Sequence, residues 1–153
     1  MDDIDRIMAV MEAAFDPAFG EAWNRGQVEN ALLLGNCYYH LITPDGQEAQ
    51  AGDTVAGFAL LRQVLDEAEL LLFAIAPDWR RRGLGDILLQ KTTSKAEDRG
   101  ICTILLEMRR NNPAEFLYRK HSFRQIGVRP KYYRAIDGSR IDAITFERKL
   151  DAG

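Results

Sequence analysis

The chain has 153 residues, of which 46% are hydrophobic and 28% are charged, and its formal net charge is −3. This length and composition describe one globular domain, residues 1–153, with enough apolar side chains for a core. The slight excess of acid argues against direct nucleic-acid binding, which needs a basic face. No apolar run approaches the roughly 18 residues of a membrane helix.

The cysteines and the first residues indicate the compartment in which the protein acts. Cys37 and Cys102 lie in strand-like runs, which favours two buried, reduced thiols over a disulfide. The segment MDDIDRIMAV is acidic and amphipathic, unlike a secretory signal. We therefore expect a cytoplasmic protein, present as a monomer or a weak dimer. No zinc-type spacing of cysteine and histidine occurs, so no metal is expected.

The first half of the chain predicts two helices followed by three antiparallel strands. Apolar residues at helical spacing predict a helix over residues 4–15, and a second helix is expected over 27–34. Residues 20–23 between them are expected to form a loop. Strand-forming residues predict strands over 37–42, 54–64 and 68–75, the last two joined as a hairpin.

The second half of the chain alternates helices with strands. The pattern predicts a helix from residue 85 to about 99–100, a strand over 102–108, a helix over 113–121, and strands over 124–128 and 141–148. A loop rich in proline and tyrosine is expected between the last two strands. The predicted fold is therefore an α/β domain (α+β mixed), in which one mixed, mostly antiparallel sheet has helices on both faces.

The strongest functional signal is the segment FAIAPDWRRRGLGDILL at residues 73–89. A buried strand, a proline, the three arginines Arg80, Arg81 and Arg82, and the glycines Gly83 and Gly85 lead into a helix. The first N–H groups of a helix are unpaired and carry partial positive charge, and glycine lets a phosphate approach the backbone. The segment predicts an anion site. The alternative is a solvated turn with surface arginines.

The spacing Arg80-x-x-Gly83-x-Gly85 resembles the coenzyme A signature, [QR]-x-x-G-x-[GA], of the GNAT acetyltransferase superfamily. Residues 66–85 and 105–123 are similar to its RimI-like subgroup, which acetylates the N-terminal alanine of a ribosomal protein. In this chain Ser122 stands where the subgroup commonly has glycine, and one residue is missing between Glu107 and Tyr118. The resemblance covers about half of the chain well.

The resemblance implies the GNAT fold, acetyl-CoA as co-substrate and a set of coenzyme contacts. The pantetheine arm would enter a gap between the strand at 73–75 and the strand at 104–107, where backbone groups of Phe73 and Ile75 orient it. Since one residue is missing, either Asn111 or Asn112 corresponds to the family's coenzyme-contacting asparagine. The implied coenzyme-binding residues are Phe73, Ala74, Ile75, Arg80, Arg81, Arg82, Gly83, Leu84, Gly85, Asp86 and Asn111 or Asn112.

Two residues are candidates for proton transfer. Glu107 ends an apolar run, so it is either a general base or a strand-end charge paired with Arg109. Tyr118 falls in a predicted helix, where a core tyrosine is the ordinary outcome. The resemblance makes Glu107 the base and Tyr118 the proton donor to the departing sulfur.

The sequence constrains the acceptor of the acetyl group less than it constrains the donor, acetyl-CoA. Deprotonation at pH 7 costs about 1 kcal/mol for an α-amine and about 4.6 kcal/mol for a lysine, which favours a protein N-terminus, as on a ribosomal protein. A small-molecule amine, or a non-catalytic coenzyme-sensing module, remains an alternative. Three aromatic residues in predicted loops are candidate acceptor contacts: Trp23, Tyr132 and Tyr133.

Overall fold

The computed structural model describes residues 2–150. Its four α-helices are α1 (Asp3–Ala14), α2 (Arg25–Leu33), α3 (Leu84–Asp98) and α4 (Glu115–Lys120). Its six strands are β1 (Cys37–Ile42), β2 (Gly57–Val64), β3 (Glu67–Ile75), β4 (Thr103–Arg109), β5 (Arg124–Arg134) and β6 (Arg140–Lys149). Short 3-10 helices occupy Pro17–Phe19 and Pro77–Trp79.

The strands form one sheet in the order β1-β2-β3-β4-β6-β5. Only the β3–β4 pair is parallel among the described strands; the other neighbours are antiparallel. Leu88 and Leu89 of α3 pack with Tyr118 of α4 in one core, whereas Ile7 of α1 and Val28 of α2 lie in a second core. The predicted α/β class, with helices on both faces of a mostly antiparallel sheet, is confirmed.

Capping explains where the first two helices begin. Asp2 and Asp5 form a reciprocal capping box at the start of α1, and Asn24 and Gln27 form another at the start of α2. Such boxes satisfy N–H groups that the first helical turn leaves unpaired. The predicted start of α2 at residue 27 was wrong, because the capping box of Asn24 and Gln27 starts the helix at Arg25.

The largest error in the predicted elements concerns the segment after residue 128. It was expected to be a loop, but β5 continues to Arg134 through two register shifts against β6. Tyr132 and Tyr133 therefore lie on a strand. Proline at 130 is tolerated because β5 is at the edge of the sheet, where one row of N–H groups has no strand partner.

Two smaller expectations concern the cysteines and Ser122. Both cysteines are free, as predicted, but each is partly exposed rather than buried, and Cys102 precedes β4 instead of lying in it. Ser122 has a φ of 68°, in the left-handed region that favours glycine. The turn before Phe123 thus keeps the conformation that glycine would adopt and tolerates a serine side chain.

Candidate active site

A cleft of about 1000 Å³ opens where β3 and β4 diverge. Its walls come from the segment between α1 and α2, from β3 and β4, from the start of α3, and from α4 with the turn before it. Most of the predicted site residues meet here: Trp23, Phe73, Ala74, Ile75, Arg80, Arg81, Gly83, Leu84, Gly85, Asp86, Glu107, Asn112, Tyr118 and Tyr133.

Three predicted site residues do not line this cleft. The Arg82 guanidinium lies 5.1 Å from the centroid of the Trp79 ring. Asn111 is exposed in the turn after β4, with a φ of 69°. Tyr132 is 47% exposed on β5 and packs edge-on against Tyr133. Of the two candidate asparagines, Asn112 is the one at the cleft.

The start of α3 has the geometry of an anion site. Gly83 is its N-cap with a φ of 77°, and no side chain caps the helix. The first helical hydrogen bond runs from the Ile87 N–H to the Gly83 carbonyl, and the N–H groups of Leu84, Gly85 and Asp86 find no acceptor within residues 2–150. Unpaired N–H groups at a helix start attract an anion such as a phosphate.

The two glycines of the motif have different roles. A Cβ added at Gly83 would meet no atom within 4 Å, so the space in front of the backbone is open. A Cβ added at Gly85 would lie 3.3 Å from a Leu117 methyl, so Gly85 lets α3 and α4 approach each other closely. Gly83 keeps the anion site accessible, and Gly85 sets the packing of the two helices behind it.

The charged residues of the motif are used in distinct ways. Arg80 donates from Nε to the Ile75 carbonyl at 3.0 Å and from Nη2 to the Ala14 carbonyl at 3.1 Å, joining the end of β3 to the end of α1. Arg81 is exposed and lines the cleft. Asp86 contacts His121 at 2.9 Å and Lys120 at 3.0 Å; the His121 hydrogen bond, then that of Lys120, lowers the pKa of Asp86.

The gap between β3 and β4 begins after a bulge. The two strands pair only from Glu67–Thr103 to Leu70–Leu106, and Leu71 has no partner on β2. The Ala76 N–H donates to Ala56 beyond the start of β2. Because N–H directions alternate along a strand, those of Phe73 and Ile75 point away from β2 and into the gap.

Glu107 lies on β4 beside this gap, and its side chain is 22% exposed. Its Oε2 atom is 3.2 Å from Arg129 Nε on β5. Arg109, the partner considered from the sequence, instead donates to Glu21 at 3.0 Å. The Glu107–Arg109 pairing was therefore wrong, because each side chain has a partner on another element.

Tyr118 of α4 is 7% exposed, and its ring packs edge-on against Phe73 and Phe123. Burial, and next the negative charge of Glu21, raise the pKa of its hydroxyl. The hydroxyl thus keeps its proton at neutral pH. Asn112 Oδ1 accepts a hydrogen bond from the Ala114 N–H at 2.9 Å, which fixes the turn leading into α4.

Sequence reasoning missed Glu21 and Phe116, which both line the cleft. Glu21 lies in an irregular segment between helices, where no periodicity indicates which side chains turn inward. Phe116 is 81% exposed on α4, an unusual position for a large apolar residue, and no pattern in the sequence indicates that exposure.

The chain belongs to the acetyltransferase (GNAT) family, whose sequence profile matches residues 8–123. Among relatives, a ribosomal protein bS18-alanine N-acetyltransferase of Haemophilus influenzae is 39% identical over 90 residues, covering 59% of this chain and 62% of the relative. The enzyme of the same name from Escherichia coli K12 is 43% identical over 91 residues, covering 59% and 61%. The chain thus spans about three fifths of these relatives.

Among solved structures, the chain is similar to the ribosomal-protein-S18-alanine N-acetyltransferase of Escherichia coli. The two share a TM-score of 0.80 and 31% sequence identity, with 97% of this chain and 88% of the other covered. Within the described residues, no helix is long and apolar enough to cross a bilayer. No three His, Cys, Asp or Glu side chains of residues 2–150 are grouped so that they could hold a metal ion.

Proposed function

We propose that this protein transfers the acetyl group of acetyl-CoA to the N-terminal α-amine of a protein, with a ribosomal protein as the acceptor class. The observation that carries the proposal is that the anion site and the two candidate proton-transfer residues line the same cleft. One cavity contains the unpaired N–H groups at the start of α3, the open edge of β3, and the side chains of Glu107 and Tyr118. A donor with a diphosphate at one end and a thioester at the other fits this arrangement.

The donor end of the cleft suits a diphosphate on an extended arm. The N–H groups of Leu84, Gly85 and Asp86 would bind the diphosphate oxygens, with Arg81 adding positive charge from the rim. The inward N–H groups of Phe73 and Ile75 would donate hydrogen bonds to carbonyl oxygens of the arm, as they would to a neighbouring β-strand. Four further residues stay predicted coenzyme contacts: Ala74, Arg80, Arg82 and Asn112. Arg80 also supports the end of β3 through its hydrogen bond to the Ile75 carbonyl.

The reacting end of the cleft suits proton transfer. When bound, acetyl-CoA supplies an acetyl group held as a thioester. Transfer of that acetyl group requires a neutral acceptor amine and a proton for the leaving sulfur. Glu107 would take the proton from the amine, since its exposed partner Arg129 leaves it accessible. Tyr118 would give its proton to the departing sulfur, because burial keeps that proton in place until then.

The acceptor class rests on the cost of deprotonation and on the relatives. One carboxylate suits the removal of a proton from an α-amine, at about 1 kcal/mol at pH 7, better than from a lysine, at about 4.6 kcal/mol. The relatives named for the alanine of a ribosomal protein support the same choice. Trp23 and Tyr133, which line the cleft, remain predicted acceptor contacts, and Tyr132 would contribute only through Tyr133.

The test is an incubation of the protein with acetyl-CoA and a hexapeptide that begins with alanine, beside a panel of small amines. Mass spectrometry should find one acetyl group on the peptide α-amine. The matched control is a second peptide whose N-terminus is blocked and which contains an internal lysine. This control peptide should stay unmodified. Acetylation of small amines alone, or of the lysine alone, would contradict the proposed acceptor.

A further inference from the structure

Glu21 is one of the carboxylates that line the cleft, and the proposed reaction does not use it. Glu21 lies between the 3-10 helix Pro17–Phe19 and α2, and its side chain is only 16% exposed. Its Oε1 atom accepts a hydrogen bond from Arg109 Nε at 3.0 Å. The Arg109 side chain is itself 15% exposed, and its guanidinium lies 3.7 Å from the centroid of the Phe19 ring. Glu21 is therefore held in place.

Glu21 lines the same cleft as Glu107, Tyr118 and Tyr133. Its negative charge contributes to the raised pKa of Tyr118, after burial. It also contributes, after burial and Glu107, to the pKa of Tyr133, which rises to about 12. The charge of Glu21 thus acts on the hydroxyls of both tyrosines, and Glu21 and Glu107 line one cleft with them.

The two carboxylates differ in how firmly each is paired. Arg129, the partner of Glu107, is 64% exposed and can move away into solvent, whereas Arg109 is packed between Phe19 and Glu21. Glu107 can therefore be freed to take a proton. Glu21 keeps its guanidinium, yet its Oε2 atom accepts no hydrogen bond from residues 2–150. A fixed carboxylate with one free oxygen is suited to accept a hydrogen bond from an ammonium group.

We propose that Glu21 binds the ammonium form of the acceptor's N-terminus, so that the cleft selects acceptors with a free, charged amine. This inference rests on the proposed function. An α-amine with a pKa of about 8 arrives mostly protonated at pH 7. Glu21 holds the incoming ammonium between Tyr118 and Tyr133. Glu107 then removes one N–H proton, which leaves a neutral amine nitrogen and a protonated Glu107 carboxyl.

The experiment compares two peptides in the presence of coenzyme A, which cannot donate acetyl. One is an alanine-starting hexapeptide with a free amine, and the other is the same peptide acetylated at its N-terminus. Calorimetry gives the ratio of the two affinities for the wild type and for Glu21→Gln. The wild type should prefer the free amine by about tenfold or more, the usual range for one charge-assisted hydrogen bond, and Glu21→Gln should remove most of this preference.

Control variants separate recognition from folding. Glu29→Gln alters another ion-paired glutamate, on α2 and outside the cleft, and should keep the wild-type ratio. Glu21→Asp keeps the charge but shortens the side chain, and it should give an intermediate ratio even if Glu21→Gln proves unstable. Coenzyme affinity should be equal in all four proteins, since the start of α3 is unaltered.

Two failures are distinguishable. A wild-type preference that survives in both Glu21→Gln and Glu21→Asp would overturn the role of Glu21 and leave the proposed function intact. A wild type that binds coenzyme A but neither peptide would overturn the proposed acceptor and this inference together.

Discussion

Leu70 and Leu106 form the last pair between β3 and β4, and Leu71, the next residue of β3, has no partner on β2. The bulge reverses the faces of β3: Ala68 and Leu70 lie in the core beneath α3, but Leu72 lies in the core beneath α1. A bulge bends its strand and increases the local twist. The divergence that opens the cleft is therefore built into β3.

The divergent end of β3 depends on Arg80 for support. Replacing Arg80 by alanine removes its hydrogen bonds to the Ile75 and Ala14 carbonyls, and we expect the free energy of unfolding to fall by about 1 kcal/mol. Urea denaturation without coenzyme measures this loss. Arg81→Ala is the matched control, since Arg81 makes no hydrogen bond or ion pair to residues 2–150. It should keep its stability but bind coenzyme A more weakly. Equal stability of both variants would contradict the supporting role of Arg80.

The anion site at the start of α3 is tested at Gly83. Gly83→Asp places a negative side chain before the unpaired N–H groups, so coenzyme A should no longer raise the melting temperature. The variant should fold with a loss of roughly 1–3 kcal/mol, because φ is 77°. Gly35→Asp is matched, since Gly35 has a φ of 83°, also has no atom near an added Cβ, and lies away from the cleft. It should lose similar stability and retain the coenzyme response. A retained response in Gly83→Asp would refute the site.

The proton-transfer roles are tested by removing one functional group at a time. Glu107→Gln and Tyr118→Phe should each lower kcat by roughly 10²–10⁴-fold, while coenzyme A still raises the melting temperature. Tyr118→Phe keeps the ring contacts with Phe73 and Phe123, so its effect reports the hydroxyl. Tyr38→Phe is the control, because the Tyr38 hydroxyl is buried without a partner in the described structure. Turnover that survives in both Glu107→Gln and Tyr118→Phe would contradict the proton-transfer roles of these residues. A wild type that binds coenzyme A but shows no turnover would favour a coenzyme-binding module without catalysis.

The succession of helices and strands along the chain and the glycine-containing turn before α3 could be predicted because each has a local signal: apolar spacing, strand-forming runs, or glycines after a proline. The bulge at Leu71 could not, since Leu70, Leu71 and Leu72 are identical residues and a run of leucine does not reveal a change of face. Tyr132 and Tyr133 were assigned to a loop because Pro130 suggested a break.

The partners of charged residues were the least predictable part of the site. Glu107 and Arg109 share a strand two residues apart, which suggested a pair. In the structure Glu107 contacts Arg129 of β5, and Arg109 contacts Glu21, 88 residues away in sequence. Such pairs depend on how distant elements pack, and no local pattern encodes them.

His40 on β1 should make stability depend on pH outside the active site. Burial, followed by the positive charge of Lys95, lowers its pKa from 6.5 to about 4. Between these values the unfolded chain binds a proton that the folded protein does not, so the free energy of unfolding falls as the pH drops. The loss is on the order of 2 kcal/mol, since His40 is partly exposed. Urea denaturation at pH 7 and pH 4.5 measures it, and His40→Phe should reduce it. An identical loss in that variant would show that His40 is not buried in its neutral form.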